Sequence, residues 1–426
     1  MKKTKFLAIL AAGAMVLGGG LASCTPSDDP NPNPNPNPNP NPEGKTINLV
    51  LSGPADKADL DTELIEDFKE YRKSLGDPNT YVITQEAHGE DKVDSEVVDW
   101  SNGPDVYAFG ADKTQGLFKK GALGELKGTY ADYVQKNNSA TGIQSATFNG
   151  SVYAFPYTAD NTYYLMYDKS VFTEEDVSSI EGILAKCEEA NVNFAYNLSE
   201  GFYSLGAMFT FGYDYDISFS EDGQITNVEA DFNNENGMKA IKLLGEVTSN
   251  PHWIDTYTVA GTENVKIAVN GTWDIATAQG LLGDNYGCAP MPTATIDGTT
   301  APIGNFIGAK LLGVNPQRAG SDTDRLTAAY NLAQYLSGPE AQLKRFKQYN
   351  IGPSNLEAAA SEEIQNNENM KVLMEQNTWG HAQTIVTDPM WQAAKTLVTG
   401  LIDGTVTEEN YQEALDILNN VFLETE

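Results

Sequence analysis

An α/β fold in two domains is predicted from three observations. From Lys45 the chain reads strand, helix, strand. About 380 residues follow the first 44, more than one ordinary hydrophobic core accommodates. Helix signals then return late in the chain, and the body shows no internal repeat. Ile47 to Leu51 is a continuous apolar run, the signature of a buried parallel strand, and Leu60, Leu64, Phe68 and Tyr71 follow at helical spacing. Tyr81 to Thr84 reads as a second strand. Pro104-Asp105-Val106-Tyr107-Ala108-Phe109 reads as a third, followed by a helix through Leu117 and Phe118, which completes a βαβ array. Ser337-Gly338-Pro339-Glu340 has the form of a capping box with Pro339 in the first turn, and introduces a helix through Leu343 and Phe346. Leu397 to Leu423 contains helical stretches broken by Gly404.

The first 44 residues are of another kind. Lys2, Lys3 and Lys5 precede an apolar stretch from Phe6 to Leu17, and Leu21-Ala22-Ser23-Cys24 follows. This is the layout of a secretory leader, and its end resembles the bacterial lipobox. That resemblance implies a signal peptide over 1–23, lipidation of Cys24, and a mature chain anchored outside the cytoplasmic membrane. Pro30 to Pro42 is an unbroken Asn-Pro repeat with no apolar surface to bury, so polyproline II is its expected state. At about 3.1 Å per residue, the tether over 24–44 would reach roughly 60 Å from a headgroup.

The balance of charge is strongly acidic: 59 Asp plus Glu against 27 Lys plus Arg, a net charge of −32. Such a chain repels nucleic acid and anionic lipid, which excludes both as partners by charge, and leaves a cationic ligand open. Lipidation of Cys24 leaves Cys187 and Cys288, whose spacing forces no bridge. His88, His252 and His381 lie far apart and lack metal-ligand spacing, so neither a metal site nor a cofactor is expected. There is no Gly-x-Ser-x-Gly elbow, no His-Glu-x-x-His and no phosphate loop; Gly304-Asn305-Phe306-Ile307-Gly308-Ala309-Lys310 has the wrong spacing. Acids are too abundant for any one pair to point to glycoside hydrolysis. The chain is read as no enzyme.

Aromatic residues recur beside Gly, Asn and acids: Phe109 in Phe-Gly-Ala-Asp-Lys, Phe202 and Tyr203 in Glu-Gly-Phe-Tyr, Trp273 in Asn-Gly-Thr-Trp-Asp, Trp391 in Pro-Met-Trp. Taken singly, each is the pattern of a core aromatic. Together they suit a pyranose, whose C–H face packs on a ring while its hydroxyls take Asp, Glu, Asn or Lys partners.

These segments resemble the extracellular solute-binding proteins of ABC importers, in particular the maltose and maltodextrin branch, across residues 45 to 426. Gly103 to Lys113 is similar to the family segment in which a tryptophan, an acid and a base meet the sugar. The resemblance puts Phe109 in the tryptophan's place, Asp112 in the acid's and Lys113 in that of an arginine, a change that keeps charge and weakens bidentate recognition. Asn149 to Pro156 followed by Tyr163 to Lys169 is similar to the first crossover between lobes, and its acid falls on Asp160 or Asn161. Val265 to Trp273 is similar to the string whose tryptophan stacks on a sugar ring, and counting back from it places Trp253 where a binding tyrosine lies. Glu200-Gly201-Phe202 fits an acid-x-aromatic pair, Met390-Trp391 a phenylalanine-tryptophan pair, and Asp56-Lys57 an acid-base pair in the first strand-helix loop. Tyr213 and Trp379 have no counterpart.

The resemblance implies a two-lobed periplasmic-binding-protein-like fold with discontinuous α/β domains, a hinge and a ligand cleft between the lobes. The N-terminal lobe would comprise 45–159 and 310–368, the C-terminal lobe 160–309 and 369–426, with hinge crossings near Ala159, Ala309 and Glu368. The function it implies is that of a lipid-anchored, monomeric receptor that captures oligosaccharides, maltodextrins foremost, by cleft closure, and presents them to an ABC permease. The alternatives are a polyamine receptor on a similar scaffold, because acids and aromatics also form a cation cage, and a surface glycosidase.

Overall fold

A computed structural model describes residues 44–424 except 213–214, 260–262 and 384. The leader, Cys24, the tether and Tyr213 lie outside the described residues. Strand β1 (Thr46–Gly53) is followed by helix α1 (Ala58–Ser74), strand β2 (Thr80–Ala87) and strand β3 (Val106–Gly110). β1 lies parallel to β2 from Thr46↔Thr80 to Gly53↔Ala87, and parallel to β3 at Leu51↔Val106. The first sheet is completed by two antiparallel strands, Lys310–Val314 beside β3 and Ala154–Pro156 at the edge. Leu60, Leu64 and Phe68 do face the core, as their spacing predicts, whereas Tyr71 of the same stripe is exposed near the end of α1.

The second sheet runs in the order Trp253–Ile254, Asn193–Ala195, Val265–Gly271, Tyr163–Asp168, Tyr286–Ala289. Its Tyr163–Asp168 strand is buried throughout, the mark of a strand covered on both faces. The two sheets have separate cores. One gathers Leu49, Phe68, Phe155, Leu311 and Leu332; the other gathers Leu165, Phe194, Ile267, Phe306, Met390 and Phe422.

The chain passes between the sheets in a hydrogen-bonded bundle. Tyr157 N–H donates to Lys310 O at 3.1 Å, Ala159 N–H to Gly352 O at 2.9 Å and Asn161 N–H to Gly308 O at 3.2 Å. Phe306–Ile307 pairs in parallel with His381–Ala382. Asn305, fully buried, holds this region together by donating to Thr162 and accepting from Gln376 Nε2 at 2.6 Å.

The helix Pro339–Tyr349 forms where its proline predicts, but Ser337 is not its cap. Gly338 is the N-cap, and the Ser337 hydroxyl turns back to Gln334 O at 2.9 Å, because Ser337 closes the preceding helix Thr323–Leu336. Gly404, at φ 78°, ends the helix Asp388–Asp403 in the left-handed region. Among the described residues no helix is long and apolar enough to cross a membrane.

Candidate functional site

Strands β1 and Val265–Gly271 end alike: a glycine, a three-residue 3-10 turn, then a helix. After Gly53 and Pro54 the turn is Ala55-Asp56-Lys57; after Gly271 it is Thr272-Trp273-Asp274. The carboxyl ends of strands in α/β sheets are where ligands collect, and these two turns face one cavity of about 240 Å³. Its mouth carries Asp56, Lys57, Gln348, Tyr349 and Trp273; its depth is formed by Leu51, Leu60, Ala108, Leu312 and Leu336, all buried.

Trp273 is 47% exposed. Its ring lies back over the strand end, so that a Cβ at Gly271 would stand 2.2 Å from Cη2. The glycine is what lets the indole take that position. Across the mouth, Lys57 Nζ sits 4.2 Å above the centre of the Tyr349 ring, a cation–π contact.

Four acids, Asp56, Asp61, Glu90 and Asp160, and three bases, Lys57, Lys310 and Arg345, line the cavity. Lys310 Nζ donates to Glu90 Oε2 at 2.7 Å, and the Tyr157 hydroxyl donates to Glu90 Oε1. Glu90 is placed by its own carbonyl, which accepts from Gly110 N–H at 3.0 Å at the end of β3. Burial opposes the Lys310 ammonium, but Glu90 and Asp160 outweigh it and its pKa stands above the ordinary lysine value. Burial holds the Asp160 carboxyl above the usual range, although Lys310, Thr272 and Gly352 all favour its charged form. Asp160 Oδ2 accepts from Thr272 Oγ1 at 2.6 Å and from Gly352 N–H at 2.8 Å.

Of the residues predicted from sequence, Asp56, Lys57, Asp160 and Trp273 come together at this cavity. Asn161, the alternative to Asp160, instead bonds Gln383 within the crossing. Phe109 is corrected to a core residue: it is fully buried in the first core, 5.6 Å from the Tyr107 ring, because β3 is covered on both faces. Tyr203 is likewise buried, in the second core beside Tyr163. Phe202 stacks on Phe306 at 5.5 Å, and Trp391 packs edge-on to the same Phe306. Trp253 is half-buried and donates its indole N–H to Tyr196 O at 3.0 Å. None of these five rings lines the cavity. Glu200 is exposed beside Lys395, at 3.5 Å.

Asp112 and Lys113 pair at 3.5 Å in a third turn of the same kind, Ala111-Asp112-Lys113 after β3. Burial raises the Asp112 carboxyl. Burial works against the Lys113 ammonium, yet Asp112, Asp94 and Asp388 together raise it. Asp388 opens the helix that bears Trp391.

Sequence reasoning missed Asp61, Glu90, Tyr157, Thr272, Lys310, Arg345 and Tyr349. For Thr272 the signal was its neighbour Trp273; for Glu90 there was none. Among the described residues no group of three or more His, Cys, Asp or Glu is arranged to hold a metal ion. His88 Nδ1 meets Ser52 Oγ at 2.8 Å and His252 Nδ1 meets Val192 O at 3.0 Å. Cys187 and Cys288 are both free thiols.

Residues 64–372 match the model of a family described as bacterial extracellular solute-binding protein. No curated protein matches the sequence. Among solved structures, the fold is similar to one solved with acarbose, at 24% identity and TM-score 0.74, covering 89% of this chain and 99% of the other. It is similar to a maltodextrin-binding protein from L. casei solved without ligand, at 20% identity and TM-score 0.77, covering 89% and 100%. It is also similar to the maltose-binding periplasmic protein of Listeria monocytogenes in complex with maltose, at 17% identity and TM-score 0.68, covering 90% and 99%. At these identities the likeness speaks to the fold, a two-lobed α/β solute-binding architecture.

Proposed function

This chain belongs to the bacterial extracellular solute-binding proteins, and from that premise we propose that it captures neutral oligosaccharides, maltose and maltodextrins foremost, for an ABC permease. The observation that carries this reading is the exposed Trp273 ring over a cavity whose acids and bases nearly balance. A flat aromatic face serves the C–H side of a pyranose, and paired acids and bases serve its hydroxyls as acceptors and donors. A polyamine would place its ammonium groups against Lys57, Lys310 and Arg345, which disfavours the cationic alternative. That solved neighbours carry maltose or acarbose is in keeping with the reading.

In this account the two sheets are lobes, 45–159 with 310–368 and 160–309 with 369–426. The cavity is the ligand site between them, and ligand favours the closed arrangement by binding it more tightly. Cys24 carries the lipid and the Asn-Pro segment holds the receptor off the membrane as a monomer. The protein returns its ligand intact and acts as no enzyme.

A thermal-shift screen of the intact protein tests the substrate class. A ligand at a hundred times its Kd adds about 2.7 kcal/mol of stability. Maltose, maltotriose and longer maltodextrins should raise Tm by several degrees, and spermidine should not. A shift with spermidine alone would overturn the reading, and reducing ends released from a glucan on long incubation would favour the glycosidase.

A further inference from the structure

Two ionisable side chains deep in the cavity have hydrogen-bonding capacity that the protein leaves unused. Asp61, on α1, is 9% exposed and Arg345, on the helix Pro339–Tyr349, is 5% exposed; both line the cavity. The Arg345 guanidinium lies 4.9 Å over the Tyr157 ring and donates from Nη1 to Leu336 O. Its Nη2 stands 3.8 Å from Asp61 Oδ1, beyond hydrogen-bond reach. Among the described residues neither Nη2 nor the Asp61 carboxylate has a hydrogen-bond partner.

Two buried, opposite charges at ion-pair distance but with no hydrogen bond between them leave part of their desolvation uncompensated. What satisfies both is one neutral group that accepts from the cation and donates to the anion, and a hydroxyl does both. An ammonium in that place would meet Arg345, and a carboxylate would meet Asp61. The surrounding Leu51, Leu60, Leu312 and Leu336 keep the local dielectric low, which strengthens a satisfied bond and penalises a missing one.

We propose that Asp61 and Arg345 form a hydroxyl-recognition subsite at the floor of the cavity, which takes a hydroxyl of the innermost ring of the sugar and so selects which ring enters. The inference rests on the oligosaccharide reading. Its direction agrees with the titration of the pair: burial raises the Asp61 carboxyl and lowers the Arg345 guanidinium, with each partner opposing the shift.

The test is calorimetry on the full chain with maltotriose and with maltotrioses lacking one hydroxyl of a terminal ring. The wild type should lose at least about tenfold in affinity for one deoxy analogue. Asp61→Asn and Arg345→Lys should each weaken maltotriose by about tenfold and bind that analogue nearly as well as maltotriose itself. Asp61→Asn is isosteric and carries the test if Arg345→Lys proves unstable. Variants that bind maltotriose like the wild type and still discriminate against the analogue would overturn the subsite alone. A wild type that ignores maltotriose would overturn the oligosaccharide reading, and the subsite with it.

Discussion

Asp160 Oδ2 accepts a 2.6 Å hydrogen bond from Thr272 Oγ1. Asp160 lies where the chain leaves the first sheet and Thr272 lies at the end of a strand of the second, so this buried bond fastens the crossing to the Trp273 turn. Gly352 N–H binds the same oxygen. Thr272→Val keeps shape and removes the hydroxyl, and should cost about 1.5–3 kcal/mol in urea unfolding, the range for a hydrogen bond to a charged group. An unchanged midpoint would show that the bond contributes nothing net.

Trp273 is separable from folding because its ring is largely outside the core. Trp273→Ala should lower maltodextrin affinity at least about tenfold, the loss of an aromatic platform, with little change in Tm. Gly271→Ala should lower affinity too, with Trp273 still present, because a Cβ at Gly271 would collide with the indole and drive it from its place. Affinity retained in both folded variants would remove Trp273 from the site.

Stability should depend on pH in a definite direction. Burial raises the carboxyl pKa of Asp61, Asp112, Asp160 and Asp274. A group raised on folding contributes stability that is full below its unfolded value and lost as pH rises through the folded one. Asp77 and Asp168, where burial is outweighed by hydrogen bonds led by those from Tyr81 and Ser170, and Asp99 and Asp176, lowered chiefly by hydrogen bonds from Ser101 and Thr173, act oppositely and lose their contribution below the ordinary carboxylate range. With a net charge of −32 adding self-repulsion at neutrality, scanning calorimetry should give a higher Tm just above the ordinary carboxylate range than at pH 7. A Tm rising steadily to pH 8 would contradict this.

The two described cysteines should be slow to react. Burial pushes both the Cys187 and the Cys288 thiols up to about 12. Alkylation at pH 8 should run more than about a hundredfold slower in the folded protein than in urea. Equal rates would mean that the thiols are exposed.

Much of the fold was legible because its signals are local. The apolar run Ile47–Leu51 and the spacing of Leu60, Leu64 and Phe68 describe β1 and α1 without reference to the rest of the chain. The expectations at Asp56, Lys57 and Trp273 came from the resemblance, because the strings that carry it are short and local to a strand end. Phe109 and Tyr203 were misread because a ring beside glycine and acids looks the same whether it faces solvent or a sheet covered on both sides. Glu90, Lys310 and Arg345 come from segments far apart in sequence, and among 59 acidic residues nothing local distinguishes Glu90. The pairing of Asp61 with Arg345 exists only once the fold brings α1 and the helix Pro339–Tyr349 together.

The central claim is that the cavity beneath Trp273 takes a neutral oligosaccharide. Titration calorimetry of the intact protein with maltotriose and with spermidine, at low and at physiological salt, tests it most directly. The account predicts maltotriose binding that is nearly indifferent to salt and no heat from spermidine. Spermidine binding that weakens steeply with salt, with none for maltotriose, would contradict it.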